Sequence, residues 1–286
     1  MALLNSGQTN RLLGYPVDAR LLIINADDFG MCHAVNAAIF RALQNGVLCS
    51  ATLMVPCPWA LHALHFLVNH PDIPFGVHLT AISEWADYRW RSLTPRDQVP
   101  SLLDQAGYFY RFEDMPAFLA EVRLEQLELE WRAQIEAVLS VGLTPTHLDW
   151  HALRIDDRAD IADLLVRLAK GYGLALRVRG RSWTESVQSQ GLPCNDYDFL
   201  DSYLLDPAAR SARYAQLLHE LPRGLSEWAV HPGLHTSELR AIEGDSKHIR
   251  HLDYEFLTSQ AAQDIVQEEG IVLLDYRSLQ AVWNAV

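Results

Sequence analysis

The chain has few cysteines. Cys32, Cys49, Cys57 and Cys194 are the only four in 286 residues, and no two stand in a C-x-x-C spacing. Three of them sit among apolar or small neighbours, as buried thiols do, so a reducing, cytoplasmic setting is expected. No apolar run reaches the roughly eighteen residues that a membrane-spanning helix needs. The opening stretch, MALLNSGQTNRLLGYPVDAR, lacks a basic start, an apolar core and a small-residue cleavage site, so no secretory signal is read there. Positive charge is also scarce: 23 Lys and Arg against 36 Asp and Glu leave a net charge of −13. Such a surface repels phosphate backbones, which argues against nucleic acid as a main partner. No repeat, low-complexity tract or Gly/Ser/Pro-rich linker divides the chain, so residues 1–286 are read as a single domain.

What recurs instead is an apolar, β-rich run followed by a helical pattern. Leu21-Leu22-Ile23-Ile24 is continuous in the way of a strand covered on both faces. Val35, Ala38, Ile39, Ala42 and Leu43 then fall at helical spacing, and Asn45-Gly46 supplies a stop. Further strands are predicted over 48–55, 73–79, 146–149, 174–178, 228–230 and 271–274. The segment 83–114 is polar, aromatic and irregular, with Pro95 and Pro100, and reads as a long loop. Pro116 opens a helix expected to run to about Leu139, where Gly142 ends it. Roughly seven or eight βα units in unbroken series favour a parallel α/β barrel over separate domains. The rival, an open doubly wound sheet binding a nucleotide, lacks its G-x-G-x-x-G after the first strand.

The polar residues lie where such a barrel would use them. Asp27-Asp28 follows the first strand, His78 ends the third, His147, Asp149 and His151 end the next, and His231 follows Trp228-Ala229-Val230. In a parallel barrel all strand carboxyl ends open on one face, so these groups converge. Each has a plainer explanation alone. An Asp before a helix can be an N-cap, and a lone histidine in apolar company, as His78 is, can be a satisfied core residue. Two adjacent carboxylates repel unless a cation or a shared proton relieves them, which favours one as metal ligand and the other as base. His147, Asp149 and His151 share one face of an extended segment, and three polar groups facing a core need partners or a metal. Two histidines and a carboxylate with open positions form a common catalytic-metal set, activating water and polarising a carbonyl. With no basic pocket or phosphate-cradling loop in the sequence, hydrolysis of an uncharged ester or amide fits better than phosphoryl transfer.

Three motifs carry a family resemblance. Asn25-Ala26-Asp27-Asp28-Phe29-Gly30, Gly76-Val77-His78-Leu79-Thr80 and Pro145-Thr146-His147-Leu148-Asp149-Trp150-His151 resemble the YdjC-like carbohydrate deacetylases, the family of the chitooligosaccharide deacetylases, and His231-Pro232-Gly233 looks like its late H-P motif. The match runs in order over about 21–279. It implies an irregular (β/α) barrel, one divalent metal, zinc or magnesium, on Asp28, His78 and His151, and N-deacetylation of an acetylated mono- or oligosaccharide. Asp27 becomes the general base and His231 the general acid. His147 is read as a non-ligand, and Asp149 either orients a ligand histidine or a sugar hydroxyl or is a buried carboxylate bonded only for structure. Where family members often continue the last strand motif with further histidines, Ala152-Leu153-Arg154 stand here. Arg154 and Arg250 are read as surface arginines rather than substrate contacts. Trp85, Tyr88 and Trp90, in the loop after His78, either line a sugar cleft or anchor the loop. Another metal hydrolase on the same barrel (an amidohydrolase or phosphoesterase) and a non-catalytic sugar-binding protein are the alternatives. A homo-oligomer is left open.

Overall fold

In a computed structural model describing residues 7–155, 158–244 and 248–285, eight parallel strands form one curled sheet. The ten strands among the described residues are β1 (Arg20–Phe29), β2 (Ser50–Leu53), β3 (Phe75–Leu79), β4 (Ile82–Ser83), β5 (Tyr110–Arg111), β6 (His147–Trp150), β7 (Ala175–Leu176), β8 (Leu200–Asp201), β9 (Gly224–Val230) and β10 (Val272–Leu273). The main sheet runs β7-β6-β3-β2-β1-β9-β8, with β10 added against β1. Strand β1 is the axis of the fold. Its Arg20–Ala26 stretch pairs with β9 along one edge, while β10 takes Leu21 and Leu22 and β2 takes Asn25 onward along the other. Leu21, Leu22, Ile23 and Ile24 are fully buried, as an uninterrupted apolar run in a doubly covered strand should be.

The sheet curls into a half-barrel, and β7 and β8 do not pair with each other. Beyond the end of β7, the side-chain amide of Asn195 bonds both the N–H and the carbonyl of Val178, while the N–H of the next residue, Asp196, bonds the Leu225 carbonyl of β9. Helices follow the strands in turn, among them His33–Asn45 after β1, Ala60–Asn69 after β2, Ala159–Tyr172 after β6 and Arg210–His219 after β8. Gly173, at φ 65, supplies the left-handed residue that closes the helix Ala159–Tyr172. No helix among the described residues is long and apolar enough to cross a membrane.

Two expectations change. Instead of one helix over 116–139, the chain forms Met115–Glu121 and Leu124–Leu139. Val122 leaves helical geometry at ψ 126 to bury its side chain, and the N–H of Arg123 bonds Ser101 Oγ rather than a helix carbonyl. The segment 83–114 is a loop with its own frame, because β4 at its start pairs with β5 near its end. The buried face of Leu124–Leu139 pins this loop through polar side chains. Glu130 accepts from the N–H groups of Leu93 and Thr94 at 3.1 and 2.9 Å, and Gln134 brackets the backbone of Thr80.

Candidate active site and metal centre

The site begins with a bulge. Between β1 and β2 the register passes from Ala26 opposite Ala51 to Phe29 opposite Leu53, so β1 carries one extra residue there. Asp28 absorbs it at φ 66, a left-handed conformation that a short polar side chain tolerates better than most. In a regular strand Asp27 and Asp28 would face opposite sides. The bulge lets both reach the same interior, at a backbone cost of about 1–3 kcal/mol. Neither caps a helix, since the following helix starts after Cys32.

The remaining groups come from neighbouring strand ends. His78 lies near the end of β3, Asp149 in β6, His151 just beyond it, and His231 just beyond β9. His151 Nδ1 stands 3.1 Å and His78 Nε2 3.5 Å from Asp28 Oδ1. Donor atoms of Asp28, His78 and His151 all lie within 4.8 Å of one another. Bonds of about 2.0–2.1 Å in a tetrahedral site put neighbouring ligands about 3.3 Å apart, so this donor set fits one divalent ion. The opposite nitrogen of His78, Nδ1, is 2.7 Å from Asp149 Oδ1, which presents Nε2 to the centre. Thr52 Oγ1 donates to Asp149 Oδ2 at 2.9 Å and keeps that carboxylate in place.

Asp27 stands to one side, its Oδ2 4.0 Å from His78 Nε2 and 4.0 Å from His231 Nε2. Asn25 donates to its Oδ1 at 2.9 Å, and Arg177 bonds both of its oxygens. Burial pushes the Asp27 carboxyl up, but Arg177 and His78 outweigh it and hold it well below the usual carboxylate range. Burial acts likewise on Asp28 and is overcome chiefly by Arg250, which also leaves that carboxyl well below its ordinary value. For His78, burial pulls down while Asp149 and Asp27 pull harder the other way, and the imidazole rises to about 10. His231 is held by Ser202 Oγ, 2.8 Å from its Nδ1, and its backbone N–H bonds Asp253. A cavity of about 550 Å³ opens above Asp27, Asp28, His78, His151 and His231.

Of the residues singled out in the sequence, His147 is fully buried and does not line this cavity. Its ring stacks on Tyr276 at 3.6 Å, and its Nδ1 is 2.9 Å from Thr146 Oγ1. Gly76 makes the room, since a Cβ there would fall 2.6 Å from the His147 ring. Trp85 lines the cavity, whereas Trp90 is buried with its indole N–H bonded to the Ile82 carbonyl. Tyr88 donates its hydroxyl to the Met31 carbonyl at 2.6 Å.

The arginines need correction. Arg250 is not on the surface: it is buried, and Nη2 donates to Asp28 Oδ2 at 2.7 Å, leaving Oδ1 for the centre. Arg154 is exposed, yet with Arg177 and Arg179 it lines the cavity, alongside the carboxylates Asp27, Asp28, Glu84 and Asp201. Arg177 and Glu84 are additions that the sequence did not single out. Arg177 had a signal, a charged residue inside the apolar run of β7 and its flank. Glu84 joins the site from the loop, 3.5 Å from His151 Nε2. Burial pushes its carboxyl up and His151 opposes that shift.

Parallel strands curled around a buried carboxylate–imidazole group at their carboxyl ends define the class, an α/β half-barrel with a candidate metal centre. The sequence matches the YdjC-like protein family over residues 21–268, and the chain belongs to that family. It is 33% identical over 267 residues to the carbohydrate deacetylase of Enterococcus faecalis, covering 90% of this chain and 97% of that one. With the carbohydrate deacetylase of Thermus thermophilus the identity is 37% over 238 residues, covering 78% and 81%. A crystal structure from Enterococcus faecalis, of a protein named for cellobiose-phosphate cleavage, aligns with a TM-score of 0.78 at 31% identity, covering 91% of this chain and 99% of that one.

Proposed function

We propose that this protein is a metal-dependent carbohydrate deacetylase that hydrolyses the acetyl amide of an amino sugar. The observation that carries the reading is the convergence of Asp28, His78 and His151 on one point, with Asp27 and His231 beside it at the floor of a sugar-sized cavity. The relatives named carbohydrate deacetylase support the same chemistry. A divalent ion held by those three residues would supply Lewis acidity to the amide carbonyl and acidify a water.

The chain's own groups do the rest. Asp27, kept ionised by Arg177, takes the proton of the attacking water. His231, steadied through Nδ1 by Ser202, turns Nε2 toward Asp27 and protonates the departing amine. Asp149 orients His78, and Arg250 holds the outer oxygen of Asp28. The test is acetate release from a panel of acetylated mono- and oligosaccharides, with zinc, magnesium, manganese, nickel and cobalt added back singly. No acetate from any sugar under any metal would sink the reading.

Arg154, exposed on a cavity wall that also carries the carboxylates Glu84 and Asp201, would suit a substrate that also bears an anionic group. Running the same panel with phosphorylated and unphosphorylated sugars tests this: an equal kcat/KM for the two would discard it.

A further inference from the structure

Among the buried atoms of the site that have no hydrogen-bond partner, two form a facing pair. They are His151 Nε2 and Glu84 Oε2. They face each other at 3.5 Å, just beyond the 2.7–3.2 Å of a good N–H···O bond. A buried imidazole nitrogen and a buried carboxylate oxygen are each costly to leave unsatisfied, by about 1–3 kcal/mol. A closure of about half an ångström would satisfy both.

The geometry around the second histidine mirrors that around the first, with the ring reversed. His78 turns Nε2 toward Asp28 Oδ1 and Nδ1 toward Asp149. His151 turns Nδ1 toward Asp28 Oδ1 and Nε2 toward Glu84. A neutral imidazole has one N–H and one lone pair, and the partner of the N–H decides which nitrogen offers the lone pair. We propose that Glu84 orients His151 by accepting its Nε2–H, so that His151 ligates through Nδ1 while His78 ligates through Nε2.

The fold supports the placement. Glu84 directly follows β4, whose pairing with β5 fixes the loop, and Trp90, bonded to Ile82, sets its ring 5.8 Å from that of His151 at 66°. The imidazole is therefore hemmed by the same loop that carries its carboxylate. Glu84 is a positioning residue in this assignment, acting through His151. The inference rests on the metal reading above.

Zinc titration calorimetry on metal-free wild type, Glu84→Gln and Glu84→Ala tests it without recourse to turnover. Glu84→Ala should bind zinc about 10–100-fold more weakly, as losses of such orienting carboxylates do. Glu84→Gln, which keeps an acceptor oxygen, should fall between, and both metal-free variants should melt as wild type does. Nitrogen-15 histidine spectra of the zinc-loaded wild type should show His78 protonated on Nδ1 and His151 on Nε2. Wild-type zinc affinity in both variants, with only KM for the sugar raised, would make Glu84 a sugar contact and overturn the proposal. So would a His151 protonated on Nδ1. A wild type that binds no divalent ion would overturn the metal reading itself and this proposal with it.

Discussion

Arg177 grips Asp27 with two parallel hydrogen bonds, Nη1 to Oδ2 at 2.8 Å and Nη2 to Oδ1 at 2.9 Å. The same guanidinium reaches Asp149 at 2.8 Å and Glu227 at 2.6 Å, so one buried cation holds three buried carboxylates. Paired charges in a dry interior need not stabilise on balance, but removing one partner leaves the others uncompensated. Arg177→Ala is therefore expected to lose roughly 3–5 kcal/mol of stability. Urea unfolding of the metal-free protein measures it, and a loss under about 1 kcal/mol would mean water reaches these carboxylates.

Asp27→Asn separates base from ligand. Whichever way the amide turns, its nitrogen meets an Arg177 N–H, donor against donor, and in one of the two flips the Asn25 amide as well, which costs about 1–3 kcal/mol. Metal content should stay near wild type, because the proposed ligands Asp28, His78 and His151 are untouched, while turnover falls by roughly two orders of magnitude or more. Metal analysis beside an acetate-release assay decides the matter. If metal and activity vanish together, Asp27 belongs to the ligand set.

His231 and Ser202 should differ in degree. His231→Ala removes the proposed proton donor and is expected to cut kcat by about 10²–10⁴-fold. Ser202→Ala removes one neutral hydrogen bond to Nδ1, worth about 0.5–1.5 kcal/mol, so its loss should stay within roughly tenfold. Near-normal kcat in His231→Ala on a sugar amide would remove His231 from the acid role.

His147 supplies a pH-dependence of stability rather than of catalysis. Burial and, after it, Arg177 hold its imidazole well below the ordinary value of 6.5. A histidine depressed in the fold is neutral there and takes a proton only on unfolding. Its contribution is complete above about pH 6.5 and is lost as the pH falls below that, by up to about 1.4 kcal/mol per pH unit. His147→Gln should flatten the fall in unfolding free energy between about pH 6.5 and 5 by one proton. Identical slopes for variant and wild type in that window would show that His147 titrates normally.

The strand-end placement of Asp27, Asp28, His78, His151 and His231 was legible in the sequence because each polar group directly follows or ends a short apolar segment, Leu21–Ile24 most clearly and Trp228–Val230 more briefly. Two-residue strands such as β7, β8 and β10 are too short to show a period, so their limits came only from pairing with longer neighbours. The bulge at Asp28 leaves no local signature, since its cause is the register against β2. Arg250 was misread for a related reason. Its partner Asp28 lies 222 positions away, and nothing near Arg250 in the chain distinguishes a buried arginine from an exposed one. The break at Val122 and Arg123 likewise answers to Ser101, far outside the helical window.

The loop aromatics give the last prediction. Trp90 and Tyr88 are tied to the scaffold through Ile82 and Met31, and Trp90 is 2% exposed. Trp85 is half-buried and lines the cavity beside Glu84 and His151. An aromatic face at that position can stack on the C–H face of a sugar ring, while the neighbouring charged side chains receive its hydroxyls. Trp85→Ala should therefore raise KM for an oligosaccharide, by about tenfold for a contact worth about 1–1.5 kcal/mol, with little change in melting temperature. Trp90→Ala should instead lose about 3–5 kcal/mol of stability as a large-to-small core change. Kinetics on the two variants alongside thermal unfolding separate these roles. If Trp85→Ala unfolds the protein or leaves KM untouched, the sugar is held by another wall of the cavity.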